Sequence, residues 1–345
     1  MHDCIVIGGG LIGMMTAREL CLAGYKAAVL ESKAVGSECS WAGGGILSPL
    51  YPWRESDALS ELTLWSQRSY PDLAGQLHDA TGIDPEWQRC GMKILATDEQ
   101  DRALVWATNH NIPIEVSSSD DALWLPDIAQ IRNPVLITAL RKYMEQIGVE
   151  IHEYTTVERL RICNHQVEAI ETTRGEFASE VTVMANGAWG AGLLPDLDIK
   201  PVRGQMICYQ GTPGYLRHIL LKNSIYIIPR RDGHILVGST VEEVGFDNGT
   251  TEAAKTSLTE AAEDILPGIN QFPVVGHWSG LRPATQTGLP YICRHPEING
   301  LYLNIGHHRN GILLAPGSAR LLADIILERE TAVPSAPFQF QPESI

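Results

Sequence analysis

His307, His308, Arg309, Asn310 and Gly311 stand in a row between the apolar runs LNIG and ILL. Imidazoles and a guanidinium at such a junction suit three kinds of chemistry: metal ligation, a polar surface turn, or a loop wrapping a cofactor. Adjacent histidines project in different directions, and no carboxylate or cysteine lies near them in sequence, so the metal reading is the weakest. Arg282, in WSGLRPAT, sits among apolar and small residues, where an unpaired charge is costly. A guanidinium there suits two parallel hydrogen bonds to a ligand carboxylate, and Tyr226 in IYIIPR offers a further donor. Arg203, Arg230 and Arg231 read as ordinary strand-end charges. Gly311 would permit close backbone approach to a ligand.

These residues need a frame, and the N-terminus supplies one. CIVI is an apolar run suited to a buried parallel strand; Gly8, Gly10 and Gly13 then form GxGxxG, followed by a helical stretch over 11–23, with Gly24 placed to end it. A second strand, KAAVLE, ends on Glu31. Gly8 allows the tight turn, Gly10 the approach of a pyrophosphate, and Gly13 close helix–strand packing. The helix N-terminus offers unpaired N–H groups to phosphate, and Glu31 is spaced to accept ribose hydroxyls. This fingerprint marks a dinucleotide site without separating NAD from FAD. The following SECSWAGGGILSPLYPW places three glycines in an unusually apolar segment, which suggests backbone passing close to a bulky ligand.

Further along, helices are expected near 57–80, 99–109, 134–147 and 251–265, and a hairpin over 157–173. A final helix should begin with Pro316 in its first turn. EVTVM runs into Asn186, Gly187 and Trp189, where a parallel strand would end and ligands bind. Residues 200–278 are strand-rich, as in an antiparallel sheet. The expected fold is α/β: a Rossmann-like domain of residues 1–85, 134–199 and 279–335, carrying an inserted α+β substrate domain of residues 86–133 and 200–278.

Composition is consistent with this. The chain has 345 residues, 44% apolar and 19% charged, with a formal net charge of −15. That balance argues against nucleic acid as a partner. No apolar run of 18 residues predicts a membrane span. MHDCIVIGGG reads as an early strand rather than a signal peptide. Seven cysteines without a CxxC pair suit reduced thiols in the cytoplasm, and no metal is expected. A homo-oligomer is expected.

The pieces VIGGGLIG, GGGILSP, ANGAW, IYIIPR, GLRPAT and GHHRNGILLAP, spread over nearly the whole chain, resemble the D-amino-acid oxidase and sarcosine oxidase family of flavoproteins. The likeness is strongest to its glycine oxidase branch, associated with thiamine thiazole synthesis. The choice of FAD over NAD rests on this resemblance. It implies that Leu11, Ile12, Glu31, Ser32, Cys39, Ser40, Gly44, Gly45, Ile46 and Val157 touch FAD, with Gly8, Gly10, Gly13 and Gly187 shaping the cradle. His307, His308, Arg309, Asn310, Gly311, Ile312 and Leu313 would wrap the ring. Arg282 and Tyr226 would hold the substrate carboxylate, with Arg309 and Ile46 lining the site.

The implied reaction moves hydride from the α-carbon of glycine, or of another small amino acid or amine, to flavin N5. The imine is hydrolysed to a 2-oxo acid and ammonia, and O2 is reduced to H2O2. No acid or base is assigned. The alternative is a D-amino-acid or sarcosine dehydrogenase or oxidase passing electrons to another acceptor. Ser224 and Val241 stand where the branch has His and Met, which bears on pocket size. The GLRPATQTG and GHHRNG segments contain no cysteine, so FAD should be dissociable.

Overall fold

The computed structural model describes residues 2–117 and 121–342. Its first sheet has six strands in the order Tyr291–Arg294, Leu301–Ile305, Val181–Met184, Cys4–Ile7, Ala27–Leu30 and Glu150–His152. All neighbours pair in parallel except Tyr291–Arg294, which runs antiparallel at one edge. Cys4–Ile7 and Ala27–Leu30 are buried throughout, as expected of strands covered on both faces. The helix Leu11–Leu22 follows the first strand directly. A Cβ on Gly13 would lie 1.9 Å from the Gly8 carbonyl oxygen, so only glycine lets that helix start so close to the strand. Gly8 itself takes φ 105° to turn the chain.

The second sheet has eight strands, in the order Val274–Thr285, Ile199–Gln210, His234–Gly238, Ile225–Pro229, Ile219–Lys222, Met92–Ile94, Leu123–Leu125 and Glu115–Val116. It is antiparallel but for one parallel pair, Ile219–Lys222 with Met92–Ile94. The helix Glu252–Ile265 packs on one face, where Leu258, Ala262 and Ile265 meet Ile207, Ile227 and Val237. The other face turns toward the first sheet. The expected hairpin near 157–173 gains a third strand, Gly175–Phe177, and forms a small sheet of its own.

Two expectations need correction. The final helix spans Gly311–Ile326, so Pro316 lies inside it rather than in its first turn. A proline there cannot donate to the Ile312 carbonyl four residues earlier. The Tyr70 hydroxyl donates to that carbonyl instead, and Ser66 Oγ accepts the Gly317 N–H at 3.1 Å. Both come from the long helix Asp57–Thr81 packed alongside. The side chains of one helix thus repair the break in the other. Secondly, Arg203 and Arg230 are not ordinary strand-end charges, because both are buried. Arg203 pairs with Glu242 and Asp247, each at 2.6 Å. Arg230 has no carboxylate within 4.0 Å among the described residues. It donates to Gln130 Oε1 at 2.7 Å and to the carbonyls of Ile131 and Gly44 at 3.1 and 2.8 Å. Arg231 does behave as expected, exposed and paired with Asp84 at 2.7 Å.

Candidate active site

A cleft of about 500 Å³ lies between the two large sheets. Its floor is the glycine turn after the first strand. Gly10 occupies the position before the helix Leu11–Leu22 and has no side chain with which to cap it. The first turn carries no acidic residue, and Ser40 Oγ accepts the Leu11 N–H at 2.9 Å. A helix N-terminus with a glycine at the cap and no acidic residue in its first turn attracts phosphate oxygens. Glu31 stands at the end of the second strand. One of its oxygens accepts the Gly9 N–H at 2.7 Å, and the other accepts from Lys33 N at 2.8 Å and Ser32 Oγ at 3.0 Å. Val157 and Gly187 line the same cavity. Two buried side-chain oxygens on its wall, Asn186 Oδ1 and Asn304 Oδ1, have no hydrogen-bond partner among the described residues. Buried acceptors of this kind normally have one.

The second sheet builds the opposite wall. On a strand, alternate residues share a face. Gly204 lies opposite Gly280 and Met206 opposite Trp278, while Gly238 pairs with both Met206 and Tyr226. Gly204, Met206, Tyr226, Gly280 and Arg282 accordingly all reach the cavity. The glycines make room. A Cβ on Gly204 would come within 2.0 Å of the Arg282 guanidinium, and one on Gly238 within 2.9 Å of the Tyr226 hydroxyl. Arg282 donates to Ser239 Oγ at 2.6 Å and to the Thr240 carbonyl at 3.2 Å. No carboxylate lies within 4.0 Å of Arg282 or Arg309 among the described residues. Their like charges act on each other: beyond the effect of burial, Arg282 lowers the pKa of Arg309, while Tyr226 and Glu55 raise it.

The HHRNG row forms the third wall. His308–Asn310 is a single 3₁₀ turn leading into the final helix. The chain turns there through left-handed backbone at Gly306 (φ 87°) and His308 (φ 47°). Gly311 is already helical at φ −57°, and the nearest protein atom to a Cβ there would be His307 Cβ at 3.7 Å. The positional demand falls on Gly306, where a Cβ would lie 2.4 Å from Thr285. His307 is buried against Ser318 Oγ at 2.9 Å, and burial holds its pKa down to about 3. Burial, then Arg282 and Arg309, holds His308 to about 4. Both imidazoles are neutral near pH 7.

Of the expected site residues, Gly8, Gly10, Leu11, Ile12, Glu31, Ser32, Cys39, Ser40, Gly44, Gly45, Ile46, Val157, Gly187, Tyr226, Arg282 and the run from His307 to Ile312 all line this one cleft. Gly13 and Leu313 do not. Gly13 serves helix packing, and Leu313 is buried in the core against the final helix. Ser224 and Val241 also lie off the lining; Ser224 occupies a tight turn at φ 71° and Val241 is exposed. Sequence reasoning missed Thr155, Thr156, Gly204, Met206 and Asn304. None sits in a motif: strand register brings Gly204, Met206 and Asn304 here, and Thr155 and Thr156 arrive on the connection between the strands Glu150–His152 and Val157–Cys163.

A sequence profile described as FAD dependent oxidoreductase matches residues 3–325. The chain belongs to that family. This FAD-dependent oxidoreductase is 42% identical to a glycine oxidase of Pseudomonas aeruginosa, over 97% of each chain. Its fold superposes on the crystal structure of glycine oxidase from Geobacillus kaustophilus with a TM-score of 0.92. That alignment covers 100% of this chain and 99% of the other, at 31% identity. It is also 34% identical to the "Bifunctional protein ThiO/ThiG" of Trichormus variabilis, over 96% of this chain and 53% of that protein. The cleft fits the FAD that the family uses. It offers a glycine cradle and a helix N-terminus for phosphate, a carboxylate for ribose, and unpaired polar atoms on its wall.

Among the described residues, no helix of this oxidoreductase is long and apolar enough to cross a membrane. One group of possible metal ligands exists among them. His2, Glu150 and His152 bring ligand atoms within 4.8 Å of one another; Glu150 pairs with His2 at 2.9 Å, and none of the three lines the cleft.

Proposed function

We propose that this flavoprotein oxidises glycine at its α-carbon, yielding an imine that water converts to a 2-oxo acid and ammonia, with O2 as electron acceptor. The observation that carries this reading is the pair of guanidiniums, Arg282 and Arg309, without a carboxylate partner, facing one cavity beside the Tyr226 hydroxyl. Held cations without a carboxylate at ion-pair distance among the described residues favour an anionic ligand. Met206, Tyr226 and Ile46 line the same cleft, and their bulk suits a small amino acid. FAD, when bound, supplies the two-electron acceptor for the α-hydrogen. The protein's part is orientation. Arg282, its guanidinium braced by Ser239 and the Thr240 carbonyl, fixes the carboxylate, and Tyr226 adds a hydroxyl donor. His307 and His308 remain neutral and add no competing charge. The names of the relatives, and the fused ThiO/ThiG chain, support a place in thiamine thiazole synthesis.

The same reading assigns residues 1–85, 134–199 and 279–335 to FAD binding and residues 86–133 and 200–278 to the substrate side. The six-stranded sheet supports the first group and the eight-stranded sheet the second, with residues 279–285 continuing the edge strand of the latter. A cytoplasmic enzyme that self-associates belongs to this proposal, and its seven cysteines, none in a disulfide, support a reducing compartment. The deciding test is anaerobic mixing with glycine, sarcosine or a small D-amino acid. Loss of the yellow flavin absorbance should be fastest with glycine. Retention of full colour with all three would overturn the reading.

A further inference from the structure

The buried Arg230 has no role in the chemistry described above, and its contacts assign it one. Residues 42–45 of the triple-glycine segment all line the cleft. Each of their four carbonyls is taken by a donor that does not. Trp278 Nε1 donates to Ala42 at 3.0 Å, Asn133 Nδ2 to Gly43 at 2.9 Å, Arg230 to Gly44 at 2.8 Å and Ile131 N to Gly45 at 2.9 Å. Asn133 Nδ2 also donates to the Ser40 carbonyl at 3.0 Å. The N–H groups of Gly44, Gly45 and Ile46, by contrast, have no acceptor among the described residues. A backbone whose carbonyls are all drawn to one side presents donors on the other.

The guanidinium is itself unusual. It is buried, without a carboxylate within 4.0 Å among the described residues, and burial lowers its pKa only to about 10, so it stays charged at neutral pH. An isolated buried cation is costly unless its hydrogen bonds and its field are used. Gln130, whose Oε1 accepts from Arg230, is locked in turn by donating to the Pro229 carbonyl at 2.7 Å. The arginine is therefore rigidly aimed from the second sheet at the loop of the first.

We propose that Arg230, with Asn133, is a positioning residue for the flavin-facing loop: together they draw the carbonyls of Ser40, Gly43 and Gly44 out of the cleft, turn the N–H groups of Gly44 to Ile46 toward the cofactor, and place a fixed positive charge behind them. Fixed donors and a nearby cation favour the negative charge that a flavin gains on reduction. The inference rests on FAD occupying the cleft and is independent of which amine is oxidised, so its test needs no substrate.

Three variants, Arg230→Met, Arg230→Lys and Asn133→Leu, are purified as holoenzymes. FAD release on dilution is followed by flavin fluorescence, and the flavin midpoint potential is measured by equilibration with a reference dye. Arg230→Met should raise the FAD dissociation constant at least about tenfold and make the potential more negative. Arg230→Lys keeps the charge but loses the fork, so it should loosen FAD while restoring most of the potential. Asn133→Leu should loosen FAD with the potential little changed. Folded Arg230→Met with wild-type FAD release and potential would overturn the proposal. If that variant does not fold, unchanged FAD release in both other variants overturns it equally.

Discussion

Truncating Arg282 tests the carboxylate assignment at a single guanidinium. Charge-assisted hydrogen bonds contribute about 1.5–3 kcal/mol each, so Arg282→Met should lower kcat/KM for glycine by about tenfold to a few hundredfold. Far-UV circular dichroism should be unchanged, and unaltered kcat/KM would remove Arg282 from the site. His307 makes a different prediction. Its pKa of about 3 in the folded protein lies below the ~6.5 of an unfolded histidine. As pH falls through that window the unfolded chain takes up the proton first, so stability is lost between about pH 6.5 and pH 3, with a slope of up to ~1.4 kcal/mol per pH unit. Replacing His307 with Asn should flatten the slope of urea-denaturation stability across that window by about one proton. Cys39, expected to touch FAD, is a thiol on the cavity wall. Burial and then Glu38 push its pKa up, against Arg282, so it stays protonated and weakly nucleophilic near pH 7. Acid precipitation should therefore release all the flavin into the supernatant; colour left in the pellet would show a covalent bond.

The two long helices that touch the cofactor cleft, Leu11–Leu22 and Gly311–Ile326, are held there by different devices. The first depends on close approach to its strand. Gly13→Ala would drive a methyl into the Gly8 carbonyl, so we expect the protein to lose FAD and to be destabilised by several kcal/mol. A holoenzyme with normal flavin content would contradict this. The final helix depends on its neighbour. Tyr70→Phe leaves the Ile312 carbonyl without its donor at the proline break, which should cost about 1–3 kcal/mol in urea denaturation. Ser66→Ala removes the acceptor for Gly317 and should cost a similar amount. Because Ile312 lines the cleft, Tyr70→Phe should also loosen FAD.

At the scale of the whole molecule, the active site is an interface between sheets. The first sheet offers a helix terminus, a carboxylate and glycine turns. The second offers the Arg282 guanidinium and the Tyr226 hydroxyl on one face, with Gly204 and Gly238 leaving room for them. Stoichiometry tests the reaction that results: one H2O2 and one ammonia per glycine consumed are expected. Ammonia without peroxide would show that another acceptor takes the electrons.

Local chemistry made much of this legible from residues alone. Gly8, Gly10, Gly13 and Glu31 work through spacing along a strand, a turn and a helix, and spacing is written in the chain. The alternation in 200–278 and the length of the apolar runs likewise declared an antiparallel and a parallel sheet. Other features depend on what packs against a residue. Arg203 and Arg230 share the sequence character of surface charges, and only the sheet that covers them makes them buried. Pro316 looked like a helix start because its missing donor is harmless there. Tyr70, 246 residues earlier in the chain, made an interior position possible. Met206 and Asn304 reach the cleft through strand register, a property of pairs of segments that no single stretch of sequence carries.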